Sequence, residues 1–134
     1  MVGMSKPSVR DRGVVTAMVT ALVLTFVVIA GLAVDSGRLV AAHVTAGDHA
    51  ENAARAGAQE VTLVRLGWRL VDPRRATVTA RAYLDAHGLD GDVSADFRGV
   101  TVTVRLRQPT TLLRLVGVDD RVVSSTRTAR LVST

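Results

Sequence analysis

One apolar segment of the sequence constrains the fold more than any other feature. The residues from Val14 to Val34 number 21 and include no charged side chain. As an α-helix they would extend about 32 Å, which is close to the thickness of the hydrocarbon core of a bilayer. The threonines within the segment can return hydrogen bonds to carbonyls of the preceding turn. The sequence therefore predicts a transmembrane helix over residues 14–34, with the lipid bilayer as its partner.

The charges beside this segment predict its orientation. Residues 1–13 contain three basic side chains, Lys6, Arg10 and Arg12, and one acidic side chain. Because basic flanks face the cytoplasm, we expect a cytoplasmic leader over 1–13, a single pass through the cell membrane, and the remaining chain on the extracytoplasmic side. The alternative is a cleaved secretory signal, since residues 31–33 offer small side chains at a plausible cleavage position. The apolar run is, however, longer than the core of a usual signal peptide.

The residues that follow continue the helical pattern as an extracytoplasmic stem over 35–65. No proline interrupts the chain here, and the helix is expected to end at about Leu63. Small side chains recur at helical spacing along one side and form what we call the small ridge: Ala46, Ala50, Ala54 and Gly57. Small residues let a helix or a sheet approach closely. The small ridge is therefore expected to contact either the chain's own head or a neighbouring subunit.

Residues 66–134 predict a small head that begins with an extended piece around Trp68. Asp72-Pro73 is typical of a helix start, with the aspartate as N-cap and the proline in the first turn. Gly88 is typical of a left-handed helix end, so a helix is expected between them. A second, short helix is predicted within residues 110–117, capped by one of the two threonines at its start and closed by the final glycine.

Alternating apolar residues predict three strands in the head. The first two, over 93–97 and 100–106, flank a turn at Arg98-Gly99 and form a hairpin with a clear inner face. The third is expected over 121–132. Val123, Ala129 and Leu131 favour one face of this strand as the inner face, but Arg127 falls on the same face, so the inner face is ambiguous. The predicted fold is therefore α+β: a long N-terminal helix followed by two helices on a roughly three-stranded antiparallel sheet.

Two motifs in the sequence resemble a known family. The first has Arg12-Gly13 before the apolar run and Leu32-Ala33-Val34-Asp35-Ser36-Gly37-Arg38-Leu39 at its far end. The second is the small-residue stretch Ala50-Glu51-Asn52-Ala53-Ala54-Arg55-Ala56-Gly57-Ala58. Together they resemble the TadE/TadG-like pilus-assembly proteins, and the order of elements in the head is also similar. The junction of Asp35, Gly37 and Arg38 is the most specific part of the resemblance.

The resemblance implies a non-enzymatic role. The expected protein is a membrane-anchored, pseudopilin-like component or assembly factor of a tight-adherence (Flp, type IVc) pilus or a related secretion system. Its expected partners are other pilin-like subunits and the pilus or secretion machinery. The alternative function is a generic anchored or secreted ectodomain that binds an envelope partner and is unrelated to pili.

The resemblance also implies a candidate cleavage site. Related pseudopilins are cleaved after a glycine that precedes the apolar run, with a glutamate five residues later. Gly13 and Val14 occupy the cleavage position here, but Met18 stands in place of the glutamate. A cleaved Val14 would therefore bury its new amine without the usual carboxylate partner, which is costly.

The acidic and basic residues of the junction permit two interpretations. Asp35 and Arg38 are three residues apart, and charges at a bilayer edge usually anchor the helix there. They are therefore expected to end the apolar run at the outer membrane boundary. The alternative is a docking contact with a neighbouring pilin subunit.

Composition excludes several other classes of protein. The chain has no cysteine, which excludes disulfide scaffolds and thiolate metal sites, and its 3% of aromatic residues disfavours base stacking. His43 and His49 are six residues apart and do not share a helical face, so they predict no metal site. No nucleotide-binding loop or hydrolase elbow occurs. We therefore predict no catalytic residue, cofactor, metal, small-molecule substrate or nucleic-acid partner.

Overall fold

The computed structural model describes residues 9–62, 70–111 and 113–131, and one long helix organises them. This helix, α1, runs from Val9 to Ala58 without a break. It therefore begins before the predicted start at residue 14, and the predicted end near Leu63 is wrong. After the helix, Val61–Thr62 form a strand, β1, that pairs antiparallel with a second strand, β2, at Leu70–Val71. The extended piece expected around Trp68 lies outside the described residues except for Leu70.

The second helix, α2, spans Pro73–Ala86 and has the predicted ends. The Asp72 carboxylate accepts hydrogen bonds from the backbone N–H groups of Arg74 at 3.0 Å and Arg75 at 3.2 Å. These bonds satisfy donors that the first turn of a helix leaves unpaired. Gly88 follows the helix with φ of +62°, a conformation that disfavours any side chain.

Three strands form the sheet of the head: β3 at Asp90–Ala95, β4 at Gly99–Gln108 and β5 at Arg121–Arg130. Their order is β3-β4-β5 and both pairings are antiparallel, which confirms the predicted α+β fold. In the turn between β3 and β4, the Asp96 carboxylate accepts hydrogen bonds from the backbone N–H groups of Arg98 and Gly99. These two bonds lower the pKa of Asp96 below its ordinary value.

The register of β4 and β5 identifies the inner face of the third strand. The buried residues Val100, Val102 and Val104 pair with Ala129, Arg127 and Ser125 respectively. The inner face of β5 is therefore the one that includes Ala129, as the sequence favoured. Arg127 lies on this inner face although its side chain is exposed.

The hairpin prediction was wrong at Phe97. Its side chain is 59% exposed, because β3 ends at Ala95 and Phe97 lies in the turn rather than on the inner face. The predicted third strand also extended too far, since β5 ends at Arg130. Val132, its predicted last residue, lies outside the described residues.

The short helix of the head is a 3₁₀ helix at Leu113–Val116, followed by Gly117 with φ of +82°. The Thr110 hydroxyl donates to the carbonyl of Val118 at 2.6 Å and so bridges the two ends of the segment. Whether Thr110 or Thr111 also caps the helix, as the sequence suggested, stays a prediction. We refer to the described residues 110, 111 and 113–118 as the head loop.

The hydrophobic core lies between the sheet and the two helices α1 and α2. It consists of small residues from the helices and valines from the sheet, joined by one leucine: Ala46, Ala50, Ala53, Ala54, Val71, Ala76, Ala80, Leu84, Val100, Val102 and Val104. Because the helical members are mostly alanines, α1 can lie close to both the sheet and α2.

Candidate functional site

The apolar part of α1 projects beyond the head. Its large side chains between Val14 and Ile29 are exposed, at half or more of their full accessible area. The hydroxyls of Thr20 and Thr25 each donate to the carbonyl four residues earlier, at 2.8 Å in both cases, so these polar groups are satisfied within the helix. Among the described residues, α1 is the one helix long and apolar enough to cross a membrane, judged by length and composition. The exposed side chains are thus suited to lipid.

The candidate cleavage position lies inside this helix. Gly13 and Val14 are both helical, because α1 begins four residues before Gly13. A Cβ added at Gly13 would meet nothing within 4 Å, so packing does not require glycine there. Met18 is exposed and occupies the position of the expected glutamate. Cleavage between Gly13 and Val14 stays a prediction.

The junction residue Asp35 is buried against the head, with only 1% of its surface exposed. Its carboxylate accepts hydrogen bonds from the backbone N–H groups of Thr111, at 3.3 Å, and Leu113, at 2.9 Å. These donors lie at the start of the 3₁₀ helix, so Asp35 caps it from a different element of the fold. A carboxylate that accepts backbone N–H bonds is well suited to such a buried position.

The other two junction residues differ in their surroundings. Arg38, one turn further along α1, donates a hydrogen bond to the hydroxyl of Thr111. Gly37 faces open space, and a Cβ there would contact nothing within 4 Å. Asp35 and Arg38 therefore both bind the head loop within the same chain, a role that the sequence did not predict.

All four residues of the small ridge are buried where α1 faces the head: Ala46, Ala50, Ala54 and Gly57. The elements that they approach are β4, β5 and α2. Of the two partners that the sequence left open, the head is the one that the small ridge contacts in this chain. A neighbouring subunit would have to use other sides of α1.

Two glycines on the buried side of α1 allow the closest packing. A Cβ at Gly57 would lie 2.8 Å from the backbone carbonyl oxygen of Ala76 in α2. A Cβ at Gly47 would lie 3.1 Å from the guanidinium of Arg127, which crosses the helix at this point, and 3.3 Å from the Ser125 hydroxyl. Gly57 thus fits against a fixed backbone atom, whereas Gly47 fits against the end of a flexible side chain.

Two histidines, His49 and His87, make ring contacts with Tyr83. His49 lies on α1 with its ring Nδ1 3.2 Å from the hydroxyl of Tyr83, and the rings of Tyr83 and His87 stack with centroids 4.2 Å apart. His43 is exposed on α1. Within the described residues, no group of three or more His, Cys, Asp or Glu side chains is arranged to hold a metal ion.

The contact between Asp35 and the head loop is the feature of this site that the sequence does not predict. The two partners are 76 and 78 residues apart in the chain, so no periodicity or short motif connects them. A weak signal was present in the position of Asp35, an acidic residue directly after the apolar run. That signal fitted a membrane boundary equally well.

These elements define a class of protein: a small α+β head built on the second half of a helix whose first half is apolar and exposed. Residues 13–60 match the family model described as "Putative Flp pilus-assembly TadE/G-like". The resemblance inferred from the junction and the small-residue stretch is thereby confirmed: residues 13–60 are similar to this family. Such a segment, together with an apolar helix, fits a pilus-associated membrane protein. No curated protein and no solved structure gives a significant match to the chain.

Proposed function

We propose that this chain is a non-enzymatic, membrane-anchored, pseudopilin-like component or assembly factor of a tight-adherence (Flp, type IVc) pilus or a related secretion system. The observation that carries the proposal is the TadE/G-like match over residues 13–60, which covers the apolar segment and most of the stem. Other pilin-like subunits and the pilus or secretion machinery are the proposed partners.

The contacts of α1 support a role as a structural subunit. One side of the helix holds the head through Asp35 and the small ridge, while the opposite side carries exposed valines at Val40 and Val44. Exposed apolar residues on a helix are suited to contact with another protein or with lipid. A helix that is apolar at one end and joined to its head at the other can anchor the head at a membrane.

The proposed topology places residues 1–13 in the cytoplasm and the head outside it. The basic residues of the leader support this orientation, since positive charges near the end of a membrane helix stay in the cytoplasm. A reporter enzyme fused after Thr134 is expected to be active only when the reporter is one that works outside the cytoplasm. Activity of a cytoplasmic reporter at the same position would contradict the orientation.

Deletion and complementation test the pilus role. Removal of the gene is expected to reduce surface pili, and the full-length chain supplied in trans should restore them. Crosslinking from a cysteine introduced at Val44, on the exposed side of α1, should capture pilus or secretion components. Crosslinking from a cysteine at Val78, exposed on α2, serves as the matched control.

The alternative function predicts a different outcome. A generic envelope-binding ectodomain would leave pilus number unchanged on deletion and would crosslink to envelope components from either position. That result would refute the pilus role while leaving the anchoring of the chain intact.

A further inference from the structure

We infer that the head loop is a second membrane contact, which lies in the headgroup region of the same bilayer that α1 crosses. The inference rests on the proposed membrane anchoring and goes beyond it, because a single-helix anchor requires no lipid contact from the head. The proposed occupant of this surface is the lipid interface itself.

The length of the free helix sets the level of the bilayer surface. Gly31 is buried, so the part of α1 that is both apolar and clear of the head is residues 14–30. Seventeen helical residues span about 26 Å, whereas the hydrocarbon core of a bilayer is about 30 Å thick. Roughly three more residues are therefore needed to cross the core, which brings the outer boundary to about Val34.

The exposed side of the helix at that level is apolar. Leu32 and Val34 are 52% and 51% exposed, on the sides of α1 that the head does not cover. Lipid would cover these side chains, which water would otherwise contact. The level of Asp35 is therefore the level at which hydrocarbon gives way to headgroups.

The hydrogen bonds of the junction hold the head loop at the same level. Asp35 binds the backbone of Thr111 and Leu113, and Arg38 binds the hydroxyl of Thr111. While these bonds persist, the loop stays beside Asp35 and Arg38 of α1. The loop is thus the part of the head fixed beside the point where α1 leaves the bilayer.

The composition of the head loop suits this position. The sequence over 113–118 is Leu-Arg-Leu-Val-Gly-Val, in which Arg114 is the one charged residue. Leu113 is half-buried, and Arg114 is exposed. A guanidinium can bind lipid phosphate in bidentate fashion, and its long stem can lie along apolar surface. The exposed carboxylates of Asp119 and Asp120 follow directly and favour water, so they set the outer limit of immersion.

Spin labelling of the full chain tests the inference. Since the chain contains no cysteine, one introduced cysteine gives one label. Arg114→Cys and Leu113→Cys place labels in the head loop, and the second variant keeps the arginine. Phe26→Cys reports on the exposed apolar helix, and Val78→Cys reports on the exposed side of α2. Each variant is reconstituted into vesicles of phosphatidylcholine and phosphatidylglycerol.

The measured quantity is the ratio of collision rates with oxygen, which concentrates in lipid, and with a water-soluble nickel chelate. This ratio should be highest for the label at residue 26 and lowest for the label at residue 78. The labels at residues 113 and 114 should give ratios clearly above the ratio measured at residue 78. The lipid contact would be overturned if the labels at residues 113 and 114 gave the same ratio as the label at residue 78 while the label at residue 26 gave a high ratio. That result would leave the anchoring proposal intact. A low ratio at 26 would overturn both.

Discussion

The fit between α1 and α2 at Gly57 leads to a quantitative prediction. A Cβ at this position would lie 2.8 Å from the carbonyl oxygen of Ala76 and 3.3 Å from the Cγ1 atom of Val100. The carbonyl belongs to the backbone of α2, so it cannot rotate away as a side chain would. Gly57→Ala is therefore expected to push the helices apart, at a cost of about 1–3 kcal/mol, the usual range for overpacking.

Gly37→Ala is the matched control, because the same chemical change occurs in the same helix where nothing lies within 4 Å. Replacing glycine by alanine inside a helix stabilises it by up to about 1 kcal/mol. Gly37→Ala should therefore be neutral or stabilising, and the difference between the two variants isolates the packing cost. Gly47→Ala should fall between them, because the nearest atom belongs to the flexible guanidinium of Arg127.

Thermal unfolding of the full chain in mild detergent, followed by circular dichroism, measures these differences. One kcal/mol corresponds to a change in Tm of about 4–8 °C for a domain of this size. We expect the Tm of Gly57→Ala to lie below that of the unsubstituted chain, and the Tm of Gly37→Ala to lie at or above it. Equal Tm values for the two variants would show that α1 does not press against α2 at Gly57, and the packing argument would fail.

Three further substitutions test the small ridge, the junction and the β3–β4 turn. Ala54→Leu should destabilise the head by about 1–3 kcal/mol through overpacking, whereas Ala41→Leu on the exposed side of α1 should not, as thermal unfolding will reveal. Asp35→Asn should cost about 1–3 kcal/mol, because an amide group would face one of the backbone N–H donors that the carboxylate now accepts from. Hydrogen exchange at those amides should accelerate, with Asp48→Asn, exposed on α1, as the unaffected control. Because the pKa of Asp96 is lowered in the folded state, its charge stabilises the fold above the unfolded-state pKa and less as the pH falls. When the pH is lowered below about 4, the Asp96→Asn variant should therefore lose less stability than the unsubstituted chain does.

Local chemistry explains why much of the head could be predicted from sequence. The ends of α2 follow from Asp72-Pro73 and Gly88, which act on the backbone within one turn. The inner face of β4 follows from strict alternation of valines. The pair β1 and β2 was missed because two-residue strands carry no periodicity, and Val61 continues the helical pattern of apolar residues as readily as it forms a strand.

Long-range contacts explain why the candidate site could be predicted only in part. The small ridge is visible in the spacing of four residues, but spacing alone does not distinguish the chain's own head from a neighbouring subunit. The inner phase of β5 was ambiguous because Arg127 breaks its apolar pattern. The structure places that side chain across Gly47, where it lies on the inner face and still reaches solvent.

Asp35 and Gly57 together determine the register between α1 and the head. They lie about 33 Å apart along the helix, one at each end of the contact. If α1 slid by one turn in one direction, Leu39 would replace Asp35 at the N–H groups of the head loop, and those groups would lose their acceptor. In the other direction, Gly31 would replace Asp35 and Ala53 would replace Gly57, which would drive a Cβ into the carbonyl of Ala76. Alanines alone would permit either shift, so the specificity of this helix–head contact comes from one carboxylate and one missing side chain.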